Sequence, residues 1–256
     1  MRSGNQTTDS TENGSWQRPE KLSVVMSAHN EESTVGYAVE ASLNADVSPL
    51  ELELVVVDDG SYDSTPHILK RYEDRPNVKL LTHTGNLGKG TAIRNALELV
   101  SGEIVLIEDA DLELDPKEYP KLVAPILAAE ADVVFGSRFR GRIENMSRGR
   151  KLGNRLVSLV TSILYGTWIT DEATCYKVFR AEVIRSFNLQ CTGFDFCAEA
   201  TAKTLRGGYR YVEVPVDYCG RTVKEGKKVR LRDGHHAIWV LLKYRFGPRK
   251  WEDHQA

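Results

Sequence analysis

Short apolar runs alternate with helix-like stretches along the first hundred residues of the chain. Val, Leu and Ile dominate four runs, at 22–27, 52–57, 78–81 and 104–107, which is typical of strands buried on both faces. Between these runs, apolar residues recur at the spacing of a helix face. The alternation predicts an α/β fold with a doubly wound, mostly parallel sheet.

Acidic side chains follow the strand predicted at 104–107. Glu108 comes first, and Asp109, Asp111 and Glu113 then alternate, so that an extended backbone would direct these three to one side. Ligands bind at the carboxyl ends of strands in open α/β sheets, and carboxylate oxygens suit Mg²⁺ or Mn²⁺. A solvated acidic loop has the same short pattern, so the rest of the chain has to decide between the two.

The second half of the chain carries further charged candidates. Arg138 follows a predicted strand and opens a basic loop, and the apolar helix predicted at 152–165 is expected in the core rather than against lipid. Asp195 and Glu199 lie four residues apart, on one face of a predicted helix. The strand at 211–216 contains a proline near its end, which favours the edge of the sheet.

Composition and length predict one domain with short appendages. Residues 1–18 are polar and predict a disordered tail, whereas 19–232 hold the predicted strands and helices. Residues 233–256 predict a C-terminal amphipathic helix and tail. No segment reaches the roughly 18 uninterrupted apolar residues of a membrane span, so any membrane contact is expected to be peripheral.

The net charge and the cysteines exclude several classes of function. A net charge of −2 gives no reason to expect a nucleic-acid partner. The four cysteines are widely spaced and form no Cys-x-x-Cys pair, which argues against a zinc site or a disulfide scaffold and fits a reducing cytoplasm.

Glycine patterns exclude two common nucleotide-binding motifs. No Gly-x-Gly-x-x-Gly follows the first predicted strand, as a dinucleotide-binding fold would require. The stretch 85–90 has Lys89 but no Ser or Thr after it, so it is not a P-loop. Its glycines are expected to let the backbone turn tightly, with Lys89 close to a diphosphate or simply solvated.

Taken in order, five short motifs resemble those of family 2 glycosyltransferases with the GT-A fold. They are Asn30-Glu31, Asp58-Asp59-Gly60-Ser61, Asn86-Leu87-Gly88-Lys89-Gly90, Asp109-Ala110-Asp111 and Gly136-Ser137-Arg138. Gly193 to Glu199 is similar to a motif of the dolichol-phosphate mannose synthase and polyprenyl-phosphate glycosyltransferase branch. The resemblance implies a nucleotide-sugar cleft at the carboxyl ends of the strands.

The resemblance also implies roles for individual residues. Metal binding falls to Asp109, Asp111 and Glu113. Binding of the nucleotide sugar and its phosphates falls to Ala28, His29, Glu31, Asp59, Lys89, Asp109, Ala110, Arg138, Arg221 and Lys227. The chain departs from the family pattern at Ser27 and His29, where Pro and Tyr are usual, and in Asp171-Glu172-Ala173-Thr174-Cys175-Tyr176, where Asp-Pro-Thr-Ser-Gly-Phe is usual.

The implied reaction is metal-dependent transfer, with inversion, from a UDP- or GDP-sugar. The leading hypothesis is a cytoplasmic enzyme, peripheral to the inner membrane face, that loads a polyprenyl phosphate, with Asp111 and Arg138 in catalysis. The alternative is a soluble glycosyltransferase that acts on a hydroxyl of a small molecule or glycan, with Asp195 or Glu199 as the base. A binding module without catalysis is the least favoured hypothesis, and a homo-oligomer is left open.

Overall fold

The computed structural model describes residues 18–221 and 231–248, and its centre is one seven-stranded sheet. The strands of the molecule are β1 (Lys21–Ala28), β2 (Glu51–Asp58), β3 (Val78–Thr82), β4 (Ile104–Asp109), β5 (Val133–Ser137), β6 (Ile143–Glu144), β7 (Lys177–Arg180), β8 (Tyr211–Pro215) and β9 (Tyr218–Cys219). The α-helices are α1 (Val35–Leu43), α2 (Thr65–Leu69), α3 (Lys89–Leu97), α4 (Tyr119–Leu127), α5 (Arg148–Tyr165), α6 (Ala181–Ser186), α7 (Phe196–Arg206) and α8 (Leu231–Phe246).

The strand order in the sheet is β3-β2-β1-β4-β7-β5-β8. All neighbours are parallel except β7, which runs antiparallel to both β4 and β5. The prediction of an α/β fold with a mostly parallel sheet is therefore confirmed. β8 lies at the edge, as its proline predicted, and β6 and β9 form a separate two-stranded sheet.

Alternate residues of each central strand enter two separate apolar layers. In β1, Val24 and Met26 pack in the layer that contains α1 and α4, whereas Val25 packs with Ile93 and Ala96 of α3 on the opposite face. Both faces of the strand are thus covered, which is why its sequence is a continuous apolar run rather than an alternating one. Each fully buried Val, Leu or Ile stabilises the fold by about 1.5–3 kcal/mol.

A third apolar layer joins α5, α7 and α8. Its buried members are Val157, Ala198, Ala202, Val240, Leu241 and Tyr244. The sequence predicted a C-terminal helix over 237–244, within a segment that starts at residue 233. In the structure this helix is α8, which begins at Leu231 and packs against α5 and α7. Residues 1–17 of the predicted tail lie outside the described residues, and within the described ranges no helix is long and apolar enough to cross a membrane.

The helix predicted at 152–165 is α5, and only part of its apolar surface is in the core. Val157 is buried, but Leu152, Leu156, Leu159 and Ile163 are exposed by between 46% and 72%. The expectation that this apolar surface is core is wrong for these four side chains. Their spacing of four, three and four residues forms one continuous stripe along the outer face of the helix.

Candidate active site

The carboxyl ends of β1, β2 and β4 lie side by side and place most of the predicted site residues together. Ser27 is in register with Asp109, and Ala28 with Asp58. A cavity of about 270 Å³ opens at this edge, and we call it the first cavity. The predicted nucleotide-sugar residues that line it are Ala28, His29, Glu31, Asp59, Lys89, Asp109, Ala110 and Arg221, joined by Asp111.

Asp59 fixes the glycine-rich turn that precedes α3. Its carboxylate accepts hydrogen bonds from the backbone N–H groups of Leu87 and Gly88, at 2.9 and 2.8 Å, and lies 2.7 Å from Nδ1 of His83. Gly88 has a φ of +91°, and a Cβ there would lie 2.2 Å from the carbonyl oxygen of Thr192. Only glycine tolerates both conditions. The turn places Lys89 at the first position of α3, facing the end of β4.

The two aspartates at the end of β4 each contact a cation. Nζ of Lys89 lies 2.5 Å from Oδ1 of Asp109, and Nη2 of Arg221 lies 3.1 Å from Oδ2 of Asp111. Nη1 of the same arginine also lies 2.6 Å from Oε2 of Glu31. Arg221 therefore connects the end of β1 to the end of β4, across the first cavity.

Burial and mutual repulsion define the electrostatics of this edge. Burial, reinforced by Asp109 and Glu113, raises the pKa of Asp111 to about 6, although Arg221 opposes the shift. Burial disfavours the charged form of Lys89, but the Asp109 carboxylate outweighs it and holds the pKa of that lysine above its ordinary value. A further positive charge at this edge would relieve the repulsion between the aspartates.

Glu113 holds the segment that carries Arg221. Its carboxylate accepts hydrogen bonds from the Tyr218 hydroxyl, at 2.9 Å, and from the backbone N–H of Arg221, at 2.8 Å. Among residues 18–221 and 231–248, no group of three His, Cys, Asp or Glu side chains converges as metal ligands. A Mg²⁺ site of one or two carboxylates and substrate phosphates does not need a third. The predicted metal set of Asp109, Asp111 and Glu113 stays a prediction.

A second cavity, of about 130 Å³, adjoins the first one. Lys89, Asp109, Asp111 and Phe194 line both cavities. The residues that line only the second cavity include Glu113, Arg138, Asn154, Glu172, Cys175, Ala237 and Tyr218. The strand-end aspartates thus lie at the junction between two separate binding spaces.

Arg138 reaches the second cavity with its charge compensated by a buried carboxylate. Its Nε and Nη2 atoms each lie 2.7 Å from an oxygen of Asp171, and its backbone N–H donates to the same group at 3.0 Å. Burial opposes the charged form of Arg138, and Asp171 overcomes this effect and raises the pKa of the guanidinium. The sequence carries no local signal for this pairing, since the two residues are 33 positions apart.

Neither predicted base, Asp195 or Glu199, lines either cavity among the described residues. Glu199 is buried, and its carboxylate accepts from Lys203, Tyr244 and the backbone N–H groups of Gln190 and Cys191. With these four donors on its carboxylate, Glu199 fits a structural role, and its role as a base stays a prediction. The spacing of four between Glu199 and Lys203 is the sequence signal for this pairing.

Asp195 accepts a hydrogen bond from the backbone N–H of Gly193, at 2.7 Å, just before α7. Its catalytic role stays a prediction. Lys227, predicted to contact phosphate, lies outside the described residues, as does most of the basic run 221–232.

The sequence matches the family model described as Glycosyl transferase family 2 over residues 23–187, which is more than half of the chain. The chain belongs to glycosyl transferase family 2. The predicted enzyme class is thereby confirmed.

Characterised relatives support the predicted branch of the family. The undecaprenyl-phosphate mannosyltransferase of Micrococcus luteus is 33% identical over 186 residues, which are 69% of this chain and 76% of that protein. The dolichol-phosphate mannosyltransferase of Pyrococcus furiosus is 30% identical over 91% of this chain and 64% of that protein. The low-salt glycan biosynthesis hexosyltransferase Agl6 of Haloferax volcanii is 29% identical over 78% of this chain, which spans only 48% of that protein.

Solved structures confirm the GT-A fold of this glycosyltransferase. The glucosyl-3-phosphoglycerate synthase of Mycobacterium tuberculosis, in complex with Mn²⁺, UDP-glucose and phosphoglyceric acid, superimposes with a TM-score of 0.67 at 21% identity. The match covers 90% of this chain and 81% of that one. At this level of identity the likeness concerns the fold alone.

Proposed function

We propose that this family 2 glycosyltransferase transfers a hexose from a UDP- or GDP-sugar to a polyprenyl phosphate, with inversion at the anomeric carbon. The observation that carries the proposal is the junction of two cavities at Asp109 and Asp111. A diphosphate at the junction would have its nucleoside in the first cavity and its sugar in the second. The names of the relatives from Micrococcus luteus and Pyrococcus furiosus support a polyprenyl phosphate as the acceptor.

The strand-end aspartates fit a divalent cation. Asp109 and Asp111 would hold Mg²⁺ or Mn²⁺, because hard oxygen donors suit these ions and an added positive charge would lower the repulsion that raises the pKa of Asp111. Solved structures of the mycobacterial synthase contain Mn²⁺ or Mg²⁺ together with UDP. When bound, the cation would stabilise the negative charge of the departing diphosphate, which is worth several kcal/mol in the transition state.

Lys89 and Arg221 are the cations of the first cavity that can transfer their contacts to phosphate. Both already lie at the aspartates, within 3.1 Å, and both line the space that the diphosphate would fill. Their charges would orient the donor and stabilise the leaving group, together with Glu31 and His29 on the nucleoside side. We assign Lys227 to the same task from its position in the sequence.

A phosphate acceptor needs no base in the site. An oxygen of the polyprenyl phosphate is already anionic, so it can form the new bond to the anomeric carbon while the bond to the nucleotide diphosphate breaks, with no proton to remove. Arg138 lines the second cavity and supplies positive charge for the incoming phosphate. The alternative, a hydroxyl acceptor, loses support because Glu199 is engaged in structural hydrogen bonds.

The exposed stripe on α5 supports contact with a membrane surface. Leu152, Leu156, Leu159 and Ile163 face outward, and the basic residues Arg148, Arg150, Lys151 and Arg155 lie on its N-terminal half. An apolar face with cations beside it matches an anionic leaflet, where each Lys or Arg near the surface contributes about 1 kcal/mol. The same helix also borders the second cavity through Asn154, which would bring a lipid-borne phosphate to the site.

The proposal is tested by a transfer assay with polyprenyl phosphate in detergent and a panel of labelled UDP- and GDP-sugars, with Mg²⁺ or Mn²⁺. We expect label to enter an organic-extractable product that mild acid hydrolyses, since a glycosyl phosphate is acid-labile. Asp111→Asn serves as the inactive control. Transfer to hydroxyl acceptors with no transfer to the lipid phosphate would contradict the proposal.

A further inference from the structure

Glu172 carries a deeply buried carboxyl group, and one of its two oxygens has no hydrogen-bond partner among the described residues. It lies in the turn before β7, and 1% of its surface is exposed. Its backbone N–H donates to Oγ of Ser158, at 3.0 Å, but within the described parts of the chain its Oε1 atom has no hydrogen-bond partner. Buried carboxyl oxygens are rarely left unpaired, because burial removes the hydrogen bonds that water would make.

The nearby lysine does not explain this group. Lys177 is buried and donates to the backbone carbonyl of Glu172, at 2.9 Å, while its Nζ atom lies 3.8 Å from the ring centre of Phe135. Among the described residues, no ion pair within 4.0 Å involves the Glu172 carboxylate. Burial raises the pKa of Glu172 and the Lys177 charge opposes this shift, but Lys177 gives the Oε1 atom no hydrogen bond.

The carboxyl group instead lines the second cavity. Asn154 of α5 and Ala237 of α8, which line the same cavity, are partly exposed, so that side is open, whereas Glu172 lies at its depth. Asp109 and Asp111 mark where this cavity meets the first one. A sugar that is covalently attached to a diphosphate at this junction must occupy the adjoining part of the second cavity.

We propose that Glu172 recognises a hydroxyl group of the transferred hexose and is a specificity-determining residue for the donor. The inference rests on the proposed function, because it takes the first cavity as the nucleotide side. It assigns Glu172 to the sugar rather than to the acceptor, since a carboxylate would repel a phosphate.

The chemistry of the Glu172 carboxyl group predicts a large discrimination between hexose donors that differ in one hydroxyl. A site built to hydrogen-bond a substrate hydroxyl rejects an analogue that lacks it, because the buried polar group is then left without a partner. Glu172 should therefore contribute to the choice among hexoses that differ in the presence or orientation of a single hydroxyl. Glu172 also stands where the chain departs from the usual family pattern, which makes the expected preference particular to this protein.

The test is a coupling measurement on the full chain with metal and acceptor present. kcat/KM is determined for wild type, Glu172→Ala and Glu172→Gln with the best hexose donor and with its single-deoxy analogues. For one deoxy position, we expect kcat/KM of the wild type to fall on the order of 100-fold or more relative to the parent sugar. The Glu172→Ala variant should already have a low kcat/KM with the parent sugar, and removal of that hydroxyl should lower it little further. Asp233→Asn, another acid of the same cavity, is the matched control and should show no such coupling.

Four outcomes would overturn the inference. If kcat/KM of a Glu172 variant falls by the same factor with every donor, the residue acts in folding and not in donor choice. If the fall in kcat/KM depends on the acceptor instead of the donor, Glu172 contacts the acceptor. If Glu172→Ala does not fold, as judged by thermal melting, Glu172→Gln must still lower the discrimination by about tenfold, since a neutral amide bonds a hydroxyl less strongly. A wild type that transfers no sugar from any donor would overturn the proposed function and this inference together.

Discussion

Removal of the charge on Asp171 should strongly destabilise the protein, because it leaves the Arg138 guanidinium buried and unpaired. Asp171 is fully buried and accepts three hydrogen bonds from Arg138, of which the two from the guanidinium measure 2.7 Å. Loss of one partner of a buried ion pair costs about 3–5 kcal/mol. In Asp171→Asn one oxygen can still accept, so we expect a loss of about 3 kcal/mol, at the low end of this range.

The free energy of unfolding should be measured by urea denaturation, with Glu40→Gln as the matched control. Glu40 also pairs with an arginine, Arg75, at 2.9 Å, but both side chains are more than 40% exposed. An exposed pair contributes only about 0.2–1 kcal/mol. For a chain of this length, 3 kcal/mol corresponds to a fall in Tm of about 6–12 °C. If the two variants lose similar free energy, the argument that burial determines the cost is refuted.

Three further predictions concern the metal, the pH dependence and the membrane face. Asp111→Ala should weaken nucleotide-sugar binding in Mn²⁺ at least about tenfold, or 1.4 kcal/mol, and calorimetric affinities with Mn²⁺ and with EDTA should become equal; a persistent difference would contradict the assignment. Burial opposes the ionisation of Glu53, but hydrogen bonds from Lys79, Ser23 and Ser101 hold its pKa at about 2, against an ordinary 4.5. The stability that ionised Glu53 contributes to the fold is therefore present above pH 4.5 and is lost as the pH falls through about 2. Glu53→Gln should therefore unfold more easily at neutral pH and lose less stability over that acidic range, and equal losses would refute this. Leu156→Asp should weaken binding to phosphatidylglycerol vesicles by at least about tenfold through lost apolar burial, whereas Tyr37→Asp, an exposed site on α1, should not.

The central strands were predictable because burial on both faces leaves a plain signal in the sequence. β1, β2 and β4 each contain three or four consecutive apolar residues, at 24–26, 54–57 and 104–107. The direction of β7 was not predictable in this way, since its sequence Lys-Val-Phe-Arg holds only two apolar residues and carries no signal of orientation. The exposed stripe on α5 was misjudged for a related reason, because a periodic apolar face shows that a helix is amphipathic but not what covers it.

The site was predictable where function depends on strand ends and not where it depends on partners distant in the chain. Asp59, Asp109 and Asp111 were found because parallel strands bring their carboxyl ends to one edge. Tyr244 donates a hydrogen bond to Glu199 from 45 positions away, and Arg138 donates one to Asp171 from 33 positions away. Local spacing carries no information on such contacts, so the sequence predicted neither pairing.

The charge balance at the end of β4 connects the structure to the proposed reaction. Lys89 and Arg221 neutralise Asp109 and Asp111 in this structure, and the same two cations are the ones proposed to bind the diphosphate. Under the proposal, Asp109 and Asp111 would hold a divalent cation, which would leave Lys89 and Arg221 to bind phosphate, so metal and donor should bind more tightly together than either does alone. That coupling is reciprocal, because the effect of metal on donor affinity must equal the effect of donor on metal affinity. Arg221 also forms an ion pair with Glu31 across the first cavity. Donor binding should therefore replace this ion pair with a contact between Arg221 and phosphate.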